Sequence, residues 1–190
     1  MSELKLYLLL LGSKAPGRNV EQHDYFFGIA SALKDLVSEI RAFWPEAGAS
    51  IHIDGWREVN RVDDYQVTVV SKGSATVQSL GKLFFVNLGG YKAGKLEEQH
   101  YVMLTVQDDR AAAIREAKKT IFFKASTVSS VKGANAHIDE EYGIDVDDIY
   151  HIEDLLTNSQ KEKYQIQLTA YEGCSDDDIH LGYLKLNKLS

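Results

Sequence analysis

Two stretches of this chain match each other at a constant spacing, the one that separates Gly12 from Gly89. The first is LYLLLLGSKAPGRNVEQH (residues 6–23), and the second is LFFVNLGGYKAGKLEEQH (residues 83–100). Each consists of an apolar run, a glycine-rich turn and the triplet Glu-Gln-His. A second triplet, His-Ile-Asp, occurs at 52–54 and 137–139, and Val-Asp-Asp occurs at 62–64 and 146–148. This pattern indicates a tandem duplication of a unit of about 65 to 75 residues.

The apolar pattern of each copy predicts a strand, a second strand, a helix and two further strands. The helices are expected at 32–44 and 110–119, with Ser31 as the cap of the first and Asp108 or Asp109 as the cap of the second. Third strands are expected at IHIDGWREV and NAHID, and fourth strands at YQVTVV and YQIQLTA. We therefore predict an α+β protein with mainly antiparallel sheets. Its predicted domains are a first unit at 1–70, a linker at 71–81, and a second unit at 82–190 that contains an insertion and a closing strand.

The glycine-rich turn of the second copy has the spacing of a nucleotide-binding P-loop, with Gly94 and Lys95 following Gly89. A P-loop needs Ser or Thr after the lysine to bind magnesium, and Leu96 occupies that position. The Glu97-Glu98 pair that follows would repel phosphate. We conclude that the turn is not a nucleotide site.

Composition limits the class of partner. The net charge of −7 argues against a nucleic-acid binder, which needs lysine and arginine to neutralise phosphates. The apolar run at 6–11 is far shorter than the roughly 20 residues of a membrane span. The single cysteine, Cys174, fits a reducing compartment. We expect a soluble cytoplasmic protein that has neither nucleic acid nor membrane as a partner.

The order of these motifs resembles a bacterial family known as domain of unknown function 1543. The glycine-rich turn, Glu-Gln-His, His-Ile-Asp and Val-Asp-Asp-Tyr occur in that order, most fully in the first copy. In the second copy Tyr101 replaces the aspartate after histidine, and Glu140 follows His-Ile-Asp. The resemblance extends to about Ile149 and implies one or two copies of this unit. It implies no activity.

Histidines and carboxylates recur together in both copies. Because side chains two apart on a strand share a face, Glu21 and His23 are expected to lie together, as are His52, Asp54 and Trp56. Asp24 adds a carboxylate beside His23. The candidate ligand-binding residues of the first copy are Glu21, His23, Asp24, His52, Asp54 and Trp56, and the candidate metal ligands of the second are Glu98, His100, His137 and Asp139.

These sets are compatible with zinc, iron or manganese, with a carboxylate–histidine acid–base pair, or with a scaffold of satisfied polar groups. Two hypotheses of function follow. The first is a non-catalytic binding protein whose partner, a protein or a small molecule, contacts the loops at 12–20 and 89–97. The second is a metal-dependent enzyme that uses the histidine and carboxylate sets, with a divalent metal as its cofactor.

Overall fold

The computed structural model describes residues 3–74, 78–91, 96–120, 144–173 and 176–189. The chain forms two compact units. The first contains Met1–Ser79 and Leu155–Ser190, and the second contains Leu80–Asp154. The predicted α+β class with antiparallel sheets is confirmed.

The first unit has two antiparallel sheets. The larger one contains β1 (Lys5–Ser13), β2 (Gln22–Ala30), β3 (His52–Glu58) and β10 (His180–Lys185), in the order β10-β3-β1-β2. The smaller one contains β4 (Arg61–Val62), β5 (Tyr65–Ser71) and β9 (Tyr164–Ala170), in the order β4-β5-β9. A 3₁₀ turn follows β10 at Leu186–Lys188.

One face of the larger sheet is covered by apolar side chains and by a short helix, α1 (Val37–Phe43). The predicted helix at 32–44 is shorter than expected, because its first turn, Leu33–Leu36, is a 3₁₀ turn. Ala32 precedes that turn and offers no side-chain acceptor to the free N–H groups. Ser31 does not cap the helix as predicted, since its hydroxyl donates to Asp35. Another 3₁₀ segment, Pro45–Ser50, leads into β3.

The second unit has a three-stranded sheet and one helix. Its strands are β6 (Lys82–Tyr91), β7 (Glu98–Gln107) and β8 (Ile144–His151), in the order β7-β6-β8. The helix α2 (Arg110–Ala117) begins as predicted, because Asp109 Oδ1 accepts a hydrogen bond from the Ala112 N–H at 2.7 Å. Its buried residues Ala113 and Ala117 pack against β6 residues such as Val86.

Short helices at Ile152–Leu155 and Asn158–Lys163 precede β9. Within the residues that the structure describes, no helix has the length and apolar character needed to cross a bilayer.

The two main sheets share a strand order and an irregularity. In each, the first strand of the unit lies between the second and the third. The pairing of β1 with β3 shifts between Leu10 and Leu11, and that of β6 with β8 shifts between Asn87 and Leu88, which are the matching positions of the sequence repeat. The third strand of each sheet therefore contains a β-bulge at the same place.

The third strand of the sheet in the second unit pairs with β6 on the side opposite β7. It is Ile144–His151, whereas the predicted strand NAHID, with His137 and Asp139, lies outside the described residues. Gly12 pairs with His52 and Gly89 pairs with Asp145, so the register equates His52 with Asp145. The repeated Val-Asp-Asp triplet consequently has two roles. It lies at the β4–β5 turn in the first unit and within β8 in the second.

The chain after residue 154 also differs from the predicted division. The sequence predicts YQIQLTA within the second unit, but this strand pairs with YQVTVVS of β5, and β10 pairs with β3. Val67 lies opposite Leu168, and both are buried. Each of these strands offers an apolar face and an unpaired edge, so pairing them satisfies the backbone and buries both faces. Residues 155–190 are therefore part of the first unit.

Candidate metal centre

Four polar side chains meet at the end of β1 in the first unit. Gly12 lies directly opposite His23 of β2 and directly opposite His52 of β3. Residues that face each other across an antiparallel pair lie on the same side of the sheet. Glu21 immediately precedes β2, and Asp54 is two residues beyond His52. Both residues therefore lie close to Gly12, His23 and His52.

The distances show that the side chains of Glu21, His23, His52 and Asp54 lie close together. His52 Nε2 is 2.8 Å from Glu21 Oε1 and 3.2 Å from Asp54 Oδ1. His23 Nε2 lies on the other side of the aspartate, 3.1 Å from Asp54 Oδ2. One donor atom each from Glu21, His52 and Asp54 lies within 4.8 Å of the other two. His23 is not part of that triad and contacts it through Asp54.

The orientation of the His52 ring is set by the segment before β3. Its Nδ1 is 2.8 Å from the Ser50 carbonyl oxygen, which can only accept, so Nδ1 holds a proton. Ser50 is itself held in place, since its hydroxyl donates to the carbonyl of Ala47 at 2.8 Å and to that of Lys14 at 3.3 Å. In the neutral ring the lone pair of Nε2 therefore faces the two carboxylates.

The close N···O contacts at His52 are not accompanied by a hydrogen bond. Among the described residues, the buried His52 Nε2 has no hydrogen-bond partner, and Asp54 Oδ2 accepts no hydrogen bond of good geometry although His23 Nε2 lies 3.1 Å away. The His52 side chain is only 5% exposed, so water does not replace the missing partner. A buried imidazole nitrogen that lies between two carboxylates and lacks a hydrogen bond is an atom that a bound cation would satisfy.

Metal geometry is consistent with the spacing. If an ion lies about 2.1 Å from nitrogen and oxygen ligands, adjacent donor atoms are about 3.0 Å apart in an octahedron and about 3.4 Å apart in a tetrahedron. The observed distances of 2.8 and 3.2 Å are nearer to the octahedral value.

Gly12 lies directly beneath the donor atoms of Glu21, His52 and Asp54. A Cβ atom at this position would overlap Asp54 Oδ2, lie 2.6 Å from His52 Nε2 and lie 3.1 Å from Glu21 Oε1. Only glycine leaves room for the three donor atoms to approach the strand this closely.

Two predicted residues are not part of the cluster. Because of the β-bulge at Asp54, Ile53 pairs with Leu11 and Gly55 pairs with Leu10. The extra residue turns the rest of β3 over, so Trp56 packs against the apolar core and not beside Asp54.

Asp24 is also outside the cluster. It lies opposite the core residue Leu11 and is exposed, and strand alternation places it on the other face from His23.

Tyr183 covers the site and was not anticipated from the sequence. Its ring centroid lies 4.2 Å from that of His52. Tyr183 is on β10 and is far from His52 in the sequence, and no sequence pattern connects the two residues. Gly12 and Ser50 were also missed as contributors, although the match of Gly12 with Gly89 was a signal that the former has a structural role.

The corresponding cluster of the second unit is more open. His100 Nδ1 is 3.5 Å from Asp147 Oδ2, and His100 Nε2 is 3.8 Å from Glu98 Oε2. The His100 side chain is 50% exposed. Asp147 lies above Gly89, at the bulge position that Asp54 has in the first unit, whereas the predicted Asp139 lies outside the described residues. In the pairing register, position 145 is equivalent to position 52.

A cavity of about 480 Å³ lies beside this second cluster. Its polar lining combines Asp109, Asp147, Asp148 and Asp154 with Lys82, Arg110 and His151. This mixture of charges does not select one class of ligand.

Comparison with known proteins supports the fold. Residues 18–69 match the sequence model of a family described as Domain of Unknown Function (DUF1543), and this segment contains the whole four-residue cluster. No curated protein matches the chain. Among solved structures, the chain is similar to a protein named Il1583 from Idiomarina loihiensis, with a TM-score of 0.63 and 20% identity over 97% of this chain and 98% of that one. At this identity the similarity concerns the fold alone.

Proposed function

We propose that the first unit binds a divalent transition-metal ion through Glu21, His52 and Asp54, while His23 holds Asp54 from the outside. One observation is the main support. His52 is buried, its Nδ1 donates to a backbone carbonyl, and its unpartnered Nε2 faces two carboxylates. Histidines that bind metals usually donate their other N–H in this way.

A protonated His52 would be the alternative to a metal ion. An imidazolium at Nε2 would direct its N–H at one oxygen, because a charge-assisted hydrogen bond is strongest when it is linear. Neither carboxylate accepts a hydrogen bond from His52 Nε2 in the structure. A cation between the three donor atoms removes the repulsion between their lone pairs.

The ligand set suits manganese, iron or zinc. One imidazole and two carboxylates are ligands of intermediate and hard character, and the two negative charges balance a dication. Three protein ligands leave coordination positions open, which is typical of a metal site that binds substrate rather than of a closed structural site. The proposal therefore favours metal-dependent chemistry over the non-catalytic binding protein.

We also propose that the two units arose by tandem duplication and that the protein functions in the cytoplasm. The shared strand order and the bulges at matching positions of the sequence repeat support the first statement. The single cysteine supports the second.

Metal content tests the proposed site. Protein that has been stripped with chelator and reloaded with Mn²⁺ or Zn²⁺ should retain one tightly bound ion per chain, as measured by elemental analysis. His52→Gln and Asp54→Asn should each lose that ion. His23→Gln should bind it more weakly, by about 10- to 100-fold, as expected for a residue that orients a ligand.

Matched controls separate this site from the remaining histidines and carboxylates. Asp24→Asn removes a neighbouring charge on the opposite face of β2, and His100→Gln removes the histidine of the second unit. Both should retain the ion. A wild-type protein without stoichiometric metal, or a His52→Gln variant that retains it, would refute the proposal.

A further inference from the structure

Lys185 flanks the proposed metal site from the edge strand. It lies directly opposite His52 in the pairing of β10 with β3, so both side chains are on the same face. Their Cα atoms are therefore about 5 Å apart. Lys185 is exposed, and none of the described residues forms an ion pair with it. The pairing therefore places Lys185 on the same face of the sheet as His52.

Lys14 flanks the site from the end of β1. It follows Gly12 by two residues, and its carbonyl oxygen accepts the Ser50 hydroxyl, which ties this backbone to the residue that orients His52. The Lys14 side chain is also exposed and has no ion pair among the described residues. The loop that begins here continues through Arg18 and ends at the proposed ligand Glu21.

The charges around the site select the sign of its ligand. With a dication bound, the carboxylates of Glu21 and Asp54 bring the local charge to about zero, and Lys14 and Lys185 then make it positive. Two lysines beside a metal ion lower the affinity of the site for the cation, so two lysines without an ion-pair partner among the described residues are poorly explained by cation binding alone. They are well placed to neutralise an anion that completes the coordination.

We infer that the open coordination positions take a small oxyanion, which is the carboxylate or phosphate group of a substrate, and that Lys185 and Lys14 supply its counter-charge. This inference rests on the proposed metal site. It names the chemical class of the ligand. Because Lys185 and Lys14 are not metal ligands, substituting them tests anion binding separately from metal content.

The test measures two affinities in the same proteins. Wild-type protein loaded with Mn²⁺ is titrated with inorganic phosphate and with acetate in a calorimeter, and Mn²⁺ affinity is measured separately by electron paramagnetic resonance. Lys185→Gln and Lys14→Gln should each weaken anion binding by about five- to tenfold. The same substitutions should leave Mn²⁺ affinity unchanged or strengthen it, because they remove a like charge. Tighter binding of phosphate than of acetate would identify a phosphorylated ligand, and the reverse would identify a carboxylate.

Lys188→Gln and Lys34→Gln are matched controls. Each removes one lysine of the first unit that does not lie opposite His52. They should not change the anion affinity. If the wild type binds Mn²⁺ but neither anion, or if all four variants behave alike, the oxyanion inference is wrong and the metal site stands. If the wild type binds neither Mn²⁺ nor Zn²⁺, both proposals are wrong.

Discussion

At the scale of single residues, the cluster of Glu21, His52 and Asp54 requires a glycine at position 12. The donor atoms of Glu21, His52 and Asp54 occupy the space in which any other residue would place its Cβ. The backbone there is an ordinary strand paired on both sides, so alanine suits the fold but not the cluster.

We predict that Gly12→Ala weakens metal binding by about 10- to 100-fold, because it displaces Asp54 and His52 from their common point. Mn²⁺ titration followed by electron paramagnetic resonance measures this effect, and circular dichroism checks that the variant is folded. Gly89→Ala is the matched control, since it creates the same overlap with Asp147 in the second unit. Unchanged affinity in Gly12→Ala would show that the donor atoms do not converge on an ion.

At the scale of elements, a buried polar contact joins the helix Asn158–Lys163 to α1 and β2. Gln160 Nε2 donates to Glu39 Oε2 at 2.7 Å and to the Ile29 carbonyl at 3.1 Å, whereas Gln160 Oε1 is buried without a partner. Burial raises the pKa of the Glu39 carboxyl above its ordinary value, and Lys163 opposes this rise.

The raised pKa determines how this contact responds to pH. The folded protein binds the Glu39 proton more tightly than the unfolded chain does. The stabilisation from that proton is fully present below the ordinary value of 4.5 and is lost as the pH rises through the folded-state pKa. Above that range an ionised, partly buried carboxylate lowers the free energy of unfolding.

We predict that Glu39→Gln increases the free energy of unfolding by about 1 kcal/mol near neutral pH. The amide accepts the same hydrogen bond from Gln160, can donate one to Gln160 Oε1 and has no charge to bury. The gain should shrink as the pH falls towards about 4, where Glu39 is protonated as well. Urea unfolding of both proteins across this range measures it, with Glu46→Gln as an exposed control. A gain that is equal at all pH values would mean that ionisation of Glu39 does not matter.

At the scale of the whole molecule, residues 155–190 belong to the same unit as residues 1–79. Leu186 is buried in the same apolar cluster as Leu9 and Leu11, although it follows β10. The strands β9 and β10 likewise complete sheets that consist otherwise of residues before Ser79.

We predict that Leu186→Ala lowers the free energy of unfolding of the first unit by about 2 to 5 kcal/mol, because it leaves a cavity in that core. Hydrogen exchange should accelerate in β1 and β3, while β6, β7 and β8 keep their protection. Leu181→Ala is the control, since Leu181 is 83% exposed and its loss should change stability by less than about 0.5 kcal/mol. Faster exchange in the second unit alone would contradict the assignment of residues 155–190.

Sequence patterns were sufficient for the local and repeated features. Alternation of side chains along β2 and β3 predicted that Glu21 lies with His23 and that His52 lies with Asp54, because this depends only on the geometry of an extended chain. The cap at Asp109 and the antiparallel α+β class follow from equally local rules.

Tertiary structure decided whatever depends on pairing between distant segments. The bulge at Asp54, which removes Trp56 from the site, is a property of the register between β1 and β3. The pairing of β5 with β9, the cover that Tyr183 provides and the position of Lys185 beside His52 all join residues that are far apart in the sequence. A strand with an apolar face indicates that it needs a partner but does not specify which one, since many strands offer the same backbone groups. The sequence by itself therefore determined which histidines and carboxylates recur together, and only the folded chain determined which of them converge and what surrounds them.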